Sequence, residues 1–106
     1  MEIKIEKQQD WTCVAVDERL DAVSAPDLEK AGLGVLEGNA KIALDFEHLT
    51  YVSSAGLRVI LMLGKKAKAA GGQLVLCGPS GMVKEIIEES GLDAFFTVYL
   101  SRNDLA

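Results

Sequence analysis

The chain has few of the residues that build metal centres and redox sites. It contains one histidine, His48, and two cysteines, Cys13 and Cys77, among 106 residues. The cysteines lie inside the apolar runs TCVAV and LVLC, without the CxxC spacing of redox and zinc motifs. We interpret both as small buried hydrophobic residues rather than as a redox or metal pair. We expect no metal site, no cofactor and no histidine-based catalysis.

The sequence also lacks an excess of positive charge and a long hydrophobic segment. Its net charge is −5 at pH 7, whereas proteins that bind nucleic acid or anionic lipid need a basic surface. The apolar run VILML, residues 59–63, is far too short to span a bilayer. Met1 leads directly into the charged stretch EIKIEK, which is unlike a secretory signal. We therefore expect a soluble, cytoplasmic protein that binds no nucleic acid and inserts into no membrane.

Hydrophobic spacing predicts alternating strands and helices in one domain over residues 1–106. Residues 2–7 and 11–16 are typical of a hairpin, buried strands are predicted at 41–46 and 73–77, and a short strand or extended segment at 95–100. One helix is predicted to begin with Ser24 as its N-cap and to stop at Gly38. Two more are predicted over residues 54–70 and between Gly78 and Gly91. This order predicts an α/β fold with a small mixed sheet flanked by helices.

Two serines lie at a predicted strand–helix junction in the stretch LTYVSSAGLRVIL, residues 49–61. Ser53 or Ser54 can cap the helix by accepting a hydrogen bond from a backbone N–H group. A hydrolase nucleophile is disfavoured, because Val52 stands where the G-x-S-x-G turn needs glycine and no later histidine completes a triad. Phosphorylation is the other functional interpretation. A phosphate is favourable at a helix N-terminus, and Arg58 lies one turn after Ser54.

The segment ALDFEHLTYVSSAGLRVILML resembles the core motif of the STAS domain, particularly that of bacterial anti-sigma factor antagonists. In that motif a buried strand ends in an aspartate, here Asp45. A hydrophobic pair then precedes an aspartate–serine–serine/threonine–glycine–leucine sequence that opens a helix. ERLDAVSAPDLEKA resembles the family segment before the first helix, and GGQLVLCGPSGMVKEIIEESGLDAFFTVY resembles its last strand–helix–strand unit. The implied fold is a single STAS-type domain with a small mixed sheet.

The resemblance implies a regulatory module that is not an enzyme. By position, the family phosphoacceptor is Ser54, with Ser53 as a rival, and the family acidic residue before the first helix is Asp21. The implied partners are an anti-sigma factor that is also a serine kinase, and a metal-dependent serine phosphatase. The kinase ends the complex by phosphorylating the antagonist. The alternative is a STAS adaptor in a phospholipid-transport or sensory complex, which phosphorylation does not control.

Three positions depart from the family pattern. Ser53 replaces the usual aspartate before the acceptor, and Ala55 replaces a serine or threonine after it. Glu18 stands where the first segment often has glycine. The missing aspartate removes a negative charge next to the acceptor and makes Ser53 a second hydroxyl group there. These departures bear on sigma regulation more than on the fold.

The helix predicted after Ser54 has an expected core face composed of Leu57, Ile60, Leu61, Gly64 and Ala67. It also carries a second apolar stripe, offset from that core face. Ala55, Val59 and Met62 lie along one line of this helix. They are either part of a wide buried face or an exposed patch for a partner, with Met62 as an adaptable contact. The predicted partner-binding residues are Asp21, Ser53, Ala55, Gly56, Arg58, Val59 and Met62.

Overall fold

Five strands form the central sheet of the computed structural model, which describes residues 2–105. In chain order the elements are β1 (Ile3–Gln8), β2 (Trp11–Val16), β3 (Glu18–Leu20), α1 (Ala25–Leu36), β4 (Lys41–Asp45), β5 (Leu49–Val52), α2 (Ser54–Ala69), β6 (Gln73–Cys77), α3 (Gly81–Ser90), α4 (Leu92–Phe95) and β7 (Val98–Tyr99), followed by a 3₁₀ turn at Arg102–Asp104. The central sheet has the order β1-β2-β4-β6-β7. β1 and β2 pair antiparallel and the other neighbours pair parallel. The predicted hairpin and mixed sheet are confirmed.

A second, two-stranded sheet was not predicted. β3 and β5 pair in parallel, with a register irregularity between Glu18 and Arg19. Glu18 adopts a φ of 66°, in the left-handed region that glycine enters without steric cost. Its backbone N–H donates to the carbonyl oxygen of His48 at 3.0 Å. This conformation is one that the glycine of the family pattern, given above as a resemblance, would adopt without steric cost.

The helices cover one face of the central sheet. Strand residues at alternate positions, such as Val14, Leu44 and Leu76, join Leu28 of α1 and Ile60 of α2 in the main buried cluster. On α2, the predicted core residues Ile60, Gly64 and Ala67 are buried, while Leu57 and Leu61 are partly buried. The helical periodicity therefore predicted the inner face of this helix well, since it packs against both α1 and β6.

The opposite face of the sheet is covered by the C-terminal segment, residues 101–105. A second apolar cluster lies there, composed of Trp11, Cys13, Ala43, Val75, Cys77 and Leu105. Arg102 Nε donates to Asp45 Oδ2 at 2.9 Å, and Gln8 Nε2 donates to the Arg102 carbonyl oxygen at 2.7 Å. Asp45 is only 5% exposed. The Arg102–Asp45 ion pair and the packing of Leu105 thus hold the segment on the sheet face opposite the helices.

Both cysteines are free and buried in this second cluster, which confirms their predicted burial. Burial raises the pKa of both thiols, and that of Cys77 reaches about 12.

The last predicted strand is shorter than expected. Phe95 ends the short helix α4, and only Val98–Tyr99 pair with β6.

Candidate functional site

The helix α2 begins at the two serines, and they have different roles. Ser53 is the N-cap residue in an extended conformation, and its Oγ accepts a hydrogen bond from the Gly56 backbone N–H at 3.4 Å. Its carbonyl oxygen also accepts from the Leu57 N–H at 2.9 Å. Ser54 is the first helical residue and is exposed. Within residues 2–105 its hydroxyl group has no hydrogen-bond partner. The cap prediction is confirmed, with Ser53 as the cap.

Gly56 lets β3 pack directly against the first turn of α2. A Cβ atom at this position would lie 2.7 Å from Leu20 Cγ and 2.9 Å from the Leu20 carbonyl oxygen. The same carbonyl oxygen accepts a hydrogen bond from the Ser53 N–H at 2.9 Å. Gly56 is buried, so its prediction as a partner contact is wrong. Its role is to bring the end of β3 next to the serines.

Asp21 follows Leu20 directly and organises the turn before α1. Its Oδ1 accepts hydrogen bonds from the backbone N–H groups of Val23 at 3.0 Å and Ser24 at 3.1 Å. The bond from the Ser24 N–H is the main reason that the pKa of Asp21 lies below its usual range. Ser24 occupies the N-cap position of α1, but its hydroxyl donates to the Arg19 carbonyl oxygen at 2.8 Å rather than capping the helix. The predicted Ser24 side-chain cap is therefore wrong, because the turn uses this hydroxyl.

Arg19 and Tyr51 form a contact on the small sheet that the sequence analysis missed. The guanidinium carbon of Arg19 lies 4.3 Å from the centroid of the Tyr51 ring, and its Nε lies 3.6 Å from Asp21 Oδ2. Only the pairing of β3 with β5 brings these residues together, and no local sequence pattern indicates it.

Arg58 is exposed one turn after Ser54, and no described carboxylate pairs with it. The site thus has an exposed hydroxyl group at Ser54 and an exposed cation, Arg58, one turn further along α2.

The second apolar stripe of α2 is mostly core. Val59 is 6% exposed and belongs to the main buried cluster. Ala55 and Met62 are partly buried and pack against that cluster. The exposed-patch interpretation is therefore wrong for Val59, because α2 contacts α1, β5 and β6 and needs a wide apolar face. Val23, which the sequence analysis did not single out, is 87% exposed at the tip of the Asp21 turn.

Elsewhere in the described chain, the His, Cys, Asp and Glu side chains do not form a metal site. No group of three or more His, Cys, Asp or Glu side chains within residues 2–105 is arranged to hold a metal ion. A hollow of about 150 Å³ is lined by Asp17, Asp45, Glu47, His48 and Arg102 among others, but Arg102 already pairs with Asp45 there. No helix in this part of the chain has the length and apolar character needed to cross a bilayer.

Comparisons with known proteins agree with this fold. The STAS domain family model matches residues 2–105. The candidate anti-sigma factor antagonist BtrV of Bordetella bronchiseptica is 38% identical over 89 residues, which cover 84% of this chain and 71% of BtrV. An anti-sigma factor antagonist from Mycobacterium paratuberculosis superimposes with a TM-score of 0.89 at 22% identity, covering 97% of this chain and 88% of that one. The phosphorylated form of the Bacillus cell fate determinant SpoIIAA superimposes with a TM-score of 0.72 at 18% identity, covering 92% and 90%. The family match over nearly the whole chain, together with the identity to BtrV, shows that this chain belongs to the STAS domain family.

Proposed function

We propose that this protein is an anti-sigma factor antagonist that binds an anti-sigma factor with serine kinase activity and is released when Ser54 is phosphorylated. The observation that carries the proposal is the division of roles between the two serines. Ser53 caps α2, whereas the Ser54 hydroxyl is exposed and unbonded within the described residues. The relation to BtrV supports the antagonist role. In this proposal the protein is a ligand and a substrate, not an enzyme.

The chemistry of the switch requires only one group from this chain, the Ser54 hydroxyl. In the proposed reaction, Ser54 Oγ attacks the γ-phosphorus of ATP bound to the kinase, the bond to ADP breaks, and a base on the kinase takes the hydroxyl proton. A metal-dependent phosphatase later hydrolyses the phosphoserine to serine and inorganic phosphate. In this scheme the two partners supply the catalytic groups, and this chain supplies only the hydroxyl group.

A phosphate on Ser54 would change the surface and leave the fold in place. It adds about −1.5 to −2 charge near neutral pH, at a helix N-terminus where backbone N–H groups and the helix dipole favour an anion. Arg58, in i,i+4 register, can pair with it. The complex with the kinase would then be opposed by the hydration of the new dianion at its interface.

Ser54 is a better acceptor than Ser53 on structural grounds. The Ser53 hydroxyl accepts the Gly56 N–H, and the residue is only partly exposed. A kinase acting on Ser53 would have to displace the cap of α2, whereas Ser54 needs no rearrangement. Surface residues that would meet the kinase are Asp21, Ser53, Arg58 and the partly buried pair Ala55 and Met62.

A capture experiment from the native host tests the proposal. Wild type, Ser54→Ala and Ser54→Asp would serve as baits, and captured proteins would be identified by mass spectrometry. We expect an anti-sigma factor kinase with wild type and Ser54→Ala, and none with Ser54→Asp. Ser80→Asp is a matched control, because Ser80 is an exposed N-cap residue on another helix, α3. If all four baits capture the same partners, such as transporter subunits, the protein is a fixed adaptor and the switch is refuted.

A further inference from the structure

The two edges of the central sheet differ in how well they are protected from pairing. β1 forms one edge and carries the exposed charges Lys4, Glu6 and Lys7. Charged side chains on an edge strand discourage pairing with another chain. β7 forms the other edge, and its exposed side chains are apolar: Val98 is 38% exposed and the following Leu100 is 88% exposed. The β7 edge is therefore the less protected of the two.

The backbone of this edge has hydrogen-bonding groups that no residue in the range 2–105 pairs with. Leu76 N–H donates to the Thr97 carbonyl oxygen at 3.0 Å, and Gly78 N–H donates to the Tyr99 carbonyl oxygen at 2.9 Å. Successive residues of an extended strand direct their backbone groups to opposite sides. Since Thr97 and Tyr99 face β6, the N–H and C=O groups of Val98 point away from the sheet. A strand from another molecule could pair with them.

A hollow lies directly beside this edge. It has a volume of about 240 Å³ and is lined by Pro79, Lys84, Ile87, Glu88, Asp93 and residues 98–100. The buried Ile87 and the side chain of Val98 make part of its surface apolar. Lys84 contributes a positive charge to its lining, and Glu88 and Asp93 contribute negative charges. A projecting leucine, a receiving hollow and charges of both signs thus occur on one surface.

We propose that two copies of this chain associate through their β7 edges around a two-fold axis. A two-fold interface needs a surface that is complementary to itself, and this surface meets that condition in three ways. The outward N–H and C=O groups of Val98 can pair antiparallel with the same groups of a second copy, and the exposed Leu100 follows directly. Leu100 of each copy enters the hollow of the other. Lys84 of each copy faces the acidic Glu88 and Asp93 of the other.

The dimer would join the two five-stranded sheets into one continuous sheet. The residues of this interface lie outside the surface around Ser54. The dimer proposal therefore does not depend on the proposed function. Since the pairing strand is only two residues long, the interface is small and the association is weak. It is expected to show at concentrations of about 10 µM to 1 mM, the range of weak complexes.

Sedimentation velocity over that concentration range tests the proposal. The weight-average mass of wild type should rise from the 11.4 kDa of the monomer towards twice that value. Leu100→Asp should remain monomeric, because it places a charge where the hollow receives a leucine. Val23→Asp is the matched control, since Val23 is an equally exposed aliphatic residue outside this surface, and it should associate like wild type.

Exchanging the charges of Lys84 and Glu88, which line the hollow, gives a second, independent measurement. Lys84→Glu should weaken association, and the double variant Lys84→Glu/Glu88→Lys should restore it. All variants would be checked for native folding by circular dichroism. A wild type that stays monomeric up to about 1 mM, an upper limit for weak complexes, overturns the proposal. So does a folded Leu100→Asp variant that associates as strongly as wild type.

Discussion

At the scale of single residues, adjacent serines divide a structural and a chemical role. Ser53 Oγ satisfies a backbone N–H group of α2, and Ser54 leaves its hydroxyl exposed. Ser53→Ala should lower the free energy of unfolding by about 1 kcal/mol, the usual cost of losing an N-cap. Ser54→Ala should change it by less than about 0.5 kcal/mol, as is usual for surface substitutions. Urea denaturation of both variants measures the difference, and equal losses would contradict the assignment of Ser53 as the cap.

Glu18 is a residue in a conformation that suits glycine. Its φ of 66° carries a steric cost for a residue with a Cβ atom, while its backbone hydrogen bonds do not depend on the side chain. Glu18→Gly should therefore raise the free energy of unfolding by about 1 kcal/mol. Glu18→Ala removes the same carboxylate but keeps the Cβ atom, so thermal denaturation should show no comparable gain. A gain of equal size in both variants would trace the effect to the charge instead.

The carboxylate of Asp21 should make stability depend on pH. Its folded pKa is lowered below the ordinary value of 3.8, chiefly by the Ser24 N–H bond. The charged form therefore stabilises the fold above the unfolded pKa, and this contribution is lost as pH falls through the folded pKa. Asp21→Asn keeps an acceptor oxygen and removes the charge. The melting temperature of wild type should exceed that of the variant at pH 7, and the gap should narrow below about pH 4. A gap that stays constant down to pH 2 would show that the charge contributes nothing.

At the scale of secondary-structure elements, α2 approaches its neighbours through glycines. A Cβ atom at Gly64 would overlap the ring of Phe96 at Cε1, so the ring would have to move. Gly64→Ala should lower the free energy of unfolding by about 1–3 kcal/mol, the usual cost of overpacking. Gly34 on α1 is the control, because a Cβ atom there meets nothing within 4 Å. Gly34→Ala should stabilise by about 0.5–1 kcal/mol through helix propensity. Chemical denaturation that gives both changes the same sign would contradict this account.

The C-terminal segment, residues 101–105, acts as a cover that Arg102 holds in place through ion pairs with Asp45 and Glu6. Arg102→Ala would leave the carboxylate of Asp45 buried without its cation. We expect a loss of about 1.5–3 kcal/mol, typical of a hydrogen bond to a charged group. The thiols of Cys13 and Cys77 lie beneath this segment, so their reaction with a thiol reagent should become faster. Lys4→Ala, which removes only an exposed ion pair with Glu2, should leave both measurements unchanged. Unaltered thiol rates in Arg102→Ala would show that the segment stays in place without these ion pairs.

At the scale of the whole molecule, the local patterns of the sequence predict most of the fold. The hairpin, the buried strands β4 and β6 and the three long helices follow from periodicity and from capping residues. The small β3–β5 sheet and the C-terminal cover do not, because they join segments far apart in the chain, as Arg102 and Asp45 are, at a separation of 57 residues. No local pattern indicates such contacts.

The candidate site, like the fold, was predictable from the sequence only where it depends on local patterns. The serines at the start of a helix were visible in the sequence, because capping is a local property. Which serine is the cap depends on the backbone conformation of Ser53. The burial of Val59 and the packing role of Gly56 depend on neighbouring elements. The contact of Arg19 with Tyr51 depends on the pairing of β3 with β5.

The order of the central strands has a consequence for how the chain is made. Across the sheet, β1, β2, β4, β6 and β7 follow one another in the order in which they occur in the sequence. Translation releases the chain from its N-terminal end, so each new strand meets an open edge formed by the strand before it. No strand has to be inserted between two that are already paired. The nascent sheet can therefore grow in one direction at the ribosome, and the segment at residues 101–105 closes its uncovered face last.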